Sequence, residues 1–472
     1  MKIEQLYTKC LAEAAYYITS GNEAIVVDPL RETQPYLDRL ERDGIRLKYI
    51  FETHFHADFV SGHVDLAQKT GATIVYGPTD MKPGFEAYIG HDNEVFHFGN
   101  AKVKLIHTPG HTLESSCFLL IDEKGDEQGL LTGDTLFIGD VGRPDLAQHV
   151  IADLTQDKLA RMLYRSLRDK IMPLSDDLII YPNHGAGSAC GKNMSKETTD
   201  LLGIQKRTNY ALNPNLSEDE FVEALLDGLT TPPAYFPKNV ALNINGYESL
   251  DTILERGLQP IAITEFETLC EDPQILILDT RTPEEFSKGF IPNSLNIGLN
   301  GNFAPWVGEL ISDINQSVVL ICNEGTEQEA VIRLSRIGYD NTIGFLEGGF
   351  NAWKANQKES NSIERIDASQ LEDYLSKTSC PLFDIRKRNE HNAEHVLGAQ
   401  NIPLNELKHQ LDAFPKDIPF VLHCAGGYRS MMAASILQQN GYYNFKDVRD
   451  GFEGIKKTTL PLSQYVCPTS LL

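Results

Sequence analysis

Short apolar runs separated by turn signals fill the first 185 residues, and the polar residues at their ends are mostly histidine or aspartate. EAIVVDP (23–29), YIFETHFHADF (49–59) and ATIVYGP (72–78) read as strands. KVKLIHTPGHT (102–112), CFLLIDE (117–123), GLLTGDTLFIG (129–139) and DLIIYPNHG (177–185) continue the pattern. HVDLAQKT (63–70) and DKLARMLYRSLRDK (157–170) carry helical periodicity between them. Polar side chains on loops at the ends of buried strands are how α/β proteins assemble a site.

The second half repeats itself. ILILDTRTPEEFSKGFIPNSLNI (275–297) matches CPLFDIRKRNEHNAEHVLGAQNI (380–402), and VVLICNEGTEQEAVIRLSRIGYDN (318–341) matches PFVLHCAGGYRSMMAASILQQNGYYN (419–444). In each copy an apolar strand ends at Asp-x-Arg, then a second strand ends at a cysteine-headed loop that enters a helix. Alternating strands and helices imply a parallel-rich sheet per copy. The polar stretch KANQKESNS (354–362) reads as the linker between copies. NPNLSEDEFVEALLDGL (213–229) predicts a capped helix, TTPPAYFPKN (230–239) a Pro-rich loop, and residues 186–258 an extension of the first domain.

At 472 residues the chain is long enough for about three domains. The expected boundaries are 1–257, 258–358 and 362–466. A net charge of −24 argues against nucleic acid and anionic membranes as partners, because phosphate binding needs a basic surface. No apolar run reaches the roughly 18 residues of a membrane span, and MKIEQLYTKC lacks the apolar core of a secretory signal. The eight cysteines are scattered and form no CxxC, so free thiols in a reducing, cytoplasmic setting are expected. Cys10, Cys117, Cys270, Cys380 and Cys467 read as packing residues, and Cys190 as a small buried residue on a loop able to approach the histidines.

His54, His56 and Asp58 lie in THFHAD, His111 ends HTPGH, Asp134 ends TGD, and His184 follows YPN. Nitrogen and carboxylate donors together suit a divalent transition metal better than Ca²⁺ or Mg²⁺. This order of motifs resembles the metallo-β-lactamase fold. Dinuclear members carry HxHxDH, whereas here the sixth position is Phe59, which cannot ligate. One metal is therefore expected. The pattern is most similar to the persulfide dioxygenase branch of the fold. That resemblance implies a single Fe(II) per chain on His54, His111 and Asp134, with His56, Asp58 and His184 beside the metal rather than on it. It also implies Arg143, in DVGRPDL, near the mouth of the site, where it would meet a carboxylate or phosphate of the thiol carrier; a loop salt bridge with Asp145 is the alternative.

Cys424 heads the loop Cys-Ala-Gly-Gly-Tyr-Arg and closely resembles the rhodanese active loop. A thiolate needs its charge stabilised. Ala425, Gly426, Gly427 and Tyr428 are expected to turn successive backbone N–H groups toward the sulfur, with both glycines adopting unusual dihedrals. Arg429 would close the cradle over an anionic sulfur donor, and the following helix would point its positive end at it. The six-residue spacing favours sulfane sulfur over phosphate, since phosphatases on this fold use a longer loop. The middle copy reads Cys322-Asn-Glu-Gly-Thr-Glu, with Glu327 standing where Arg429 stands. Carboxylates there repel anionic donors, so this copy is expected to be an inactive scaffold; a relay thiol is the alternative.

The expected architecture is therefore an N-terminal αββα metallo-β-lactamase sandwich followed by two rhodanese-like α/β domains. The order resembles that of bacterial persulfide dioxygenase–rhodanese fusion enzymes. That resemblance implies O₂ and small-molecule persulfides as substrates and sulfite or thiosulfate as product or co-substrate; a homo-oligomer is expected, though nothing in the sequence fixes the oligomeric state. Two rivals remain: a dinuclear thioester hydrolase like glyoxalase II with accessory rhodanese copies, and a sulfur carrier or sensor.

Overall fold

The computed structural model describes residues 1–146, 154–229 and 231–466. Cys467 and Thr230, the first residue of the Pro-rich segment, lie outside them. A first compact unit comprises Met1–Thr252 with Leu334–Tyr339, and a second comprises the rest. Among the described residues no helix is long and apolar enough to cross a membrane.

The first unit is built on two six-stranded sheets. One runs Lys2–Thr8, Glu13–Ser20, Glu23–Val27, Arg46–Phe51, Thr73–Tyr76 and Tyr88–Ile89 in spatial order. The other runs Asp200–Leu201, Ile179–Pro182, Glu127–Gly133, Ser116–Ile121, Ala101–His107 and Val95–Phe98. Alternation along the strands sends Ile18, Val27, Phe51 and Val75 of the first sheet against Val103, Phe118, Leu120 and Leu131 of the second, forming the central core. The outer face of the second sheet is covered by the helices Gln156–Ser166 and Glu218–Leu226, through Leu159, Leu163, Phe221 and Leu225. This is the expected αββα sandwich.

The helix predicted at 213–229 starts after Ser217, whose hydroxyl and Glu220 form a reciprocal capping box. The Pro-rich loop is corrected in part. Residues Phe236–Asn245 form a helix with Pro237 in its first turn, where a missing N–H costs nothing.

The second unit holds two five-stranded parallel sheets of identical order. Their strands are Pro260–Ile261, Thr342–Leu346, Ser317–Ile321, Ile275–Asp279, Leu295–Asn296, and Glu364–Ile366, Phe445–Val448, Phe420–His423, Leu382–Asp384, Gln400–Asn401. The repeat extends to single hydrogen bonds. Arg281 forks onto Asp279 and donates to the Gly289 carbonyl, as Arg386 does to Asp384 and Glu394. The Asn296 and Asn401 amides each donate to the main-chain carbonyls of both members of that Asp–Arg pair. The segment read as a linker begins inside the helix Gly349–Ala355, and its Asn361 bridges back to Phe290.

Candidate metal centre and cysteine loop

The strand Arg46–Phe51 delivers the THFHAD loop to the same edge of the sandwich as the loops holding His111, Asp134 and His184. His54, His111 and Asp134 are all buried, and their ligand atoms lie within 4.8 Å of one another. His54 Nδ1–H donates to Thr53 Oγ1 (2.9 Å), which donates to Asp28 Oδ2 (2.9 Å). His111 Nδ1–H donates to the Arg143 carbonyl (2.8 Å). Both rings therefore offer Nε2 lone pairs, which stand 3.8 and 3.4 Å from Asp134 Oδ2. His54 Nε2 and Asp134 Oδ2 are buried without a hydrogen-bond partner. Burying such atoms unpaired is costly, and a divalent cation satisfies both. Burial, reinforced by His56, keeps His54 well below the usual histidine range, so it is a neutral donor. Burial opposes ionisation of Asp134, but His184, His54 and His111 hold it well below the usual carboxylate range. The donor set thus fits a transition metal.

The remaining histidines flank this triad. His184 Nδ1–H donates to Asp134 Oδ1 (2.8 Å), leaving Oδ2 for the cation. Its Nε2 stands 2.8 Å from Asp58 Oδ2. His56 turns Nε2 to Asp28 Oδ1 (3.0 Å) and Glu52 Oε2 (3.4 Å), and Phe59 stacks on its ring at 4.4 Å. Burial opposes the charge on His56, but Asp28 and Glu52 hold it well above the usual range. Phe59 is fully buried, a hydrophobic wall where the dinuclear pattern has histidine.

Arg143 is buried and forks onto Asp145 at 2.7 and 2.6 Å, with a contact to the Ala189 carbonyl. The guanidinium is thus the loop salt bridge of the sequence reading, and the residue's carbonyl orients His111. His111 lines a partly open pocket walled mainly by apolar groups, among them Phe55, Met81, Leu113, Leu146 and Val240.

Several supports were not singled out in the sequence. Asn243, on the helix Phe236–Asn245 that starts within the Pro-rich segment, donates to the His56 and Phe59 carbonyls (2.8 Å each) and accepts from Ser61 N–H (2.9 Å). Glu114 accepts the Phe55 N–H, and Glu52 the Ser61 hydroxyl. Asp28 sits at φ 49° in the turn after the strand Glu23–Val27, and it also receives His56, Thr53 and Asn183. Its VVDP context marks the turn; nothing local in the sequence marks these partners or Asn243.

In the last copy the strand Phe420–His423 ends at buried Cys424, and the helix Arg429–Gln439 starts from the loop. Gly427 N–H donates to Cys424 Sγ at 3.1 Å and the Ser430 hydroxyl at 3.4 Å. Among the described residues one backbone donor, not a run of them, reaches the sulfur, and the rest of the cradle comes from Ser430. Gly427 alone of the two glycines is left-handed (φ 83°); a Cβ there would stand 2.2 Å from the Arg449 carbonyl. Gly426 has open space around it. Arg429 forks onto Glu390 at 2.5 and 2.8 Å, so its charge is partly balanced before any donor arrives. Tyr428 donates from its hydroxyl to the Gly298 carbonyl of the middle copy.

In that middle copy Cys322 is buried, and only the Thr280 hydroxyl reaches its sulfur (3.3 Å) among the described residues. Burial, with Glu327 and Asp279 nearby, pushes its thiol up to about 12.

Comparison with known proteins agrees with this architecture. Residues 8–184 match the metallo-beta-lactamase superfamily, and residues 262–356 and 367–458 each match the rhodanese-like domain. The chain is 30% identical to the hydroxyacylglutathione hydrolase of Pelagibacter ubique over 50% of its own length and 89% of the relative's. It is 29% identical to the human mitochondrial persulfide dioxygenase ETHE1 over 43% of its length and 72% of the relative's. The crystal structure of a metallo-beta-lactamase from Staphylococcus aureus subsp. aureus COL superposes with a TM-score of 0.64 at 30% identity, covering 74% of this chain and 99% of that one. The chain belongs to the metallo-β-lactamase superfamily. Behind that domain it carries two rhodanese-like domains, the arrangement expected of a persulfide dioxygenase–rhodanese fusion.

Proposed function

We propose that the protein oxidises a low-molecular-weight persulfide with O₂ to sulfite and thiol at one Fe(II) per chain, and that Cys424 transfers sulfane sulfur to or from sulfite. The observation that carries the reading is the His54–His111–Asp134 face, with two buried unpaired donor atoms and Phe59 in place of a further histidine. Two histidines and one carboxylate with open positions form the face that non-haem Fe(II) oxygenases use. Iron bound there would supply adjacent positions for a sulfur ligand and dioxygen.

The chain's own residues do the rest. His54 and His111 are held as neutral Nε2 donors by Thr53 and by the Arg143 carbonyl. His184 fixes which Asp134 oxygen is free. The apolar pocket beside His111 receives the organic part of the persulfide. The overall balance is R–S–SH + O₂ + H₂O giving R–SH, sulfite and two protons. At the second site, a persulfide on Cys424 passes its outer sulfur to sulfite, giving thiosulfate and the free thiol. Gly427 and Ser430 stabilise the leaving thiolate. We assign the two activities to the domains 1–257 and 362–466, with 258–358 as an inactive copy.

A dinuclear thioester hydrolase is the second reading, favoured by the buried Asp58–His184 pair. Oxygen uptake by the anaerobically Fe(II)-loaded full chain, on addition of a small persulfide and with metal per chain measured on the same sample, separates the two. Uptake with about one iron per chain and sulfite formed is expected. Absence of uptake across several carriers, together with thioester hydrolysis, would replace the dioxygenase with the hydrolase.

A further inference from the structure

Asp447 is a buried carboxylate behind the Cys424 loop that the transfer step above leaves unused. It is fully buried on the strand Phe445–Val448. Arg365, its partner on the neighbouring strand, donates Nε–H to its Oδ2 (2.8 Å). Arg365 also meets Glu284 (3.2 Å) and the Arg449 carbonyl (3.1 Å), which fix the guanidinium in place. Asp447 Oδ1 is buried with no hydrogen-bond partner. The fully buried Ser430 hydroxyl, at the start of the helix after the cysteine loop, comes close enough to stabilise the Asp447 carboxylate. The same hydroxyl stands 3.4 Å from Cys424 Sγ. It therefore reaches both the sulfur and the carboxylate.

The middle copy lacks this arrangement. Strand register places its Phe345 beside Leu320 and Pro260, as Asp447 stands beside Leu422 and Arg365. Gln328 follows Glu327 as Ser430 follows Arg429. The middle copy thus carries Phe345, Pro260 and Gln328 where the last carries Asp447, Arg365 and Ser430, and its five-stranded sheet has the same order. The fold does not call for this buried ion pair, since apolar residues in such a place are commonly no less stable. Burial pushes the Asp447 carboxyl up to about 6, against the pull of Arg365, Ser430 and Arg449. Glu284 lies beyond, on both arginines, and the partner of Asp447 on its other neighbouring strand is the uncharged Leu422.

We propose that Cys424, Ser430 and Asp447 form a proton relay that generates the nucleophilic thiolate of the last copy. The Cys424 thiol proton passes to Ser430 Oγ as the Ser430 hydroxyl proton passes to Asp447 Oδ1. The S–H bond breaks and an O–H bond forms on the carboxyl group. Ser430 ends as a hydroxyl again, now donating to the thiolate. Gly427 N–H supplies a second donor to that sulfur. A carboxyl that takes up a proton close to neutrality is matched to this exchange. Ser430 touches the reacting sulfur, and Asp447 acts through it. The relay rests on the transferase reading of Cys424 for its purpose, but the thiolate is measurable without any sulfur transfer.

Iodoacetamide reads the thiolate, because the thiolate and not the thiol is the nucleophile. The rate of Cys424 alkylation in the full chain, mapped by mass spectrometry across pH, should rise in two limbs. The Cys424–Asp447 pair sheds its first proton through about pH 6 and its second in the alkaline range, so thiolate is present between them. Ser430→Ala and Asp447→Asn should lose the lower limb, and Cys424 labelling at neutral pH should fall about tenfold. Ser430→Thr, which keeps the hydroxyl, should retain the limb. A purely bracing role for Asp447 would change the rates without removing a limb. Ser430→Ala leaves the Asp447–Arg365 pair whole, so it decides the matter if Asp447→Asn does not fold. A single limb in the parent, or a lower limb that survives Ser430→Ala, overturns the proposal. Thiosulfate–cyanide turnover on the same chains tests the transferase reading separately: two limbs without turnover would keep the relay and remove the transferase.

Discussion

The Tyr428 hydroxyl donates a 2.7 Å hydrogen bond to the Gly298 carbonyl, so a residue of the Cys424 loop is held by main chain of the other rhodanese-like copy. Gly301 lies under the same ring, and a Cβ there would stand 2.4 Å from Tyr428 Cζ. Gly301→Ala should therefore displace the ring and lower kcat/KM for sulfur transfer on the order of tenfold. Tyr428→Phe, which keeps the ring and loses one hydrogen bond worth about 1 kcal/mol, should do less. A thiosulfate–cyanide assay on both variants checks the order; an unaffected Gly301→Ala would show that the middle copy does not support the loop.

The two proposed activities should separate by mutation. His111→Ala and Asp134→Ala should lose bound iron and oxygen uptake while keeping sulfur transfer, and Cys424→Ser should do the converse. Metal analysis and both assays on each folded variant decide it. A folded variant that lost both activities would contradict two independent sites.

Asn243→Ala should weaken the metal loop from a distance. The substitution leaves the Ser61 N–H and the His56 and Phe59 carbonyls without their partner in a buried setting. A cost of about 3 kcal/mol is expected. Calorimetry should show a lower Tm, and a chelator should strip iron faster than from the parent.

The two loop cysteines should differ in their response to pH. With its thiol pushed up to about 12, Cys322 keeps roughly one part in ten thousand as thiolate at pH 8. Its alkylation should be negligible at neutral pH and rise about tenfold per pH unit through pH 10. Cys424, with Gly427 N–H on its sulfur, should react first. Mass-spectrometric mapping of iodoacetamide adducts across that range checks it; equal labelling at pH 8 would show that the middle loop opens.

Much of this was written locally in the chain. Strands ending in His or Asp announced the sandwich, and the helix at 63–70 falls where its periodicity places it. The repeat announced two equal sheets, because Asp-x-Arg and the cysteine loop recur at fixed spacing. The local pairs Arg143–Asp145, Arg281–Asp279 and Arg386–Asp384 lie two residues apart and are legible in the chain. That the Arg143 carbonyl orients His111, and that Arg429 is met by Glu390, depends on chain segments brought together only by folding. The Pro-rich stretch concealed a helix, since proline in a first turn looks the same as proline in a loop. Gly426 and Gly427 look alike in sequence, but a left-handed backbone and the nearby Arg449 carbonyl force only the second to be glycine.

Asn243 also bears on where the chain can be cut. The superfamily match ends at residue 184, which suggests a fragment that keeps all six His and Asp residues of the site. Such a fragment would lack Asn243, and also Tyr247, whose hydroxyl donates to the Ser61 carbonyl and whose ring stacks on the Arg31 guanidinium at 3.7 Å. It would own the six His and Asp residues, and the braces from Asp28, Glu52 and Glu114, but not the clamp that Asn243 and Tyr247 put on residues 56–61 of the ligand loop. A free-standing metal domain would have to run to Thr252, where the first compact unit's main segment ends.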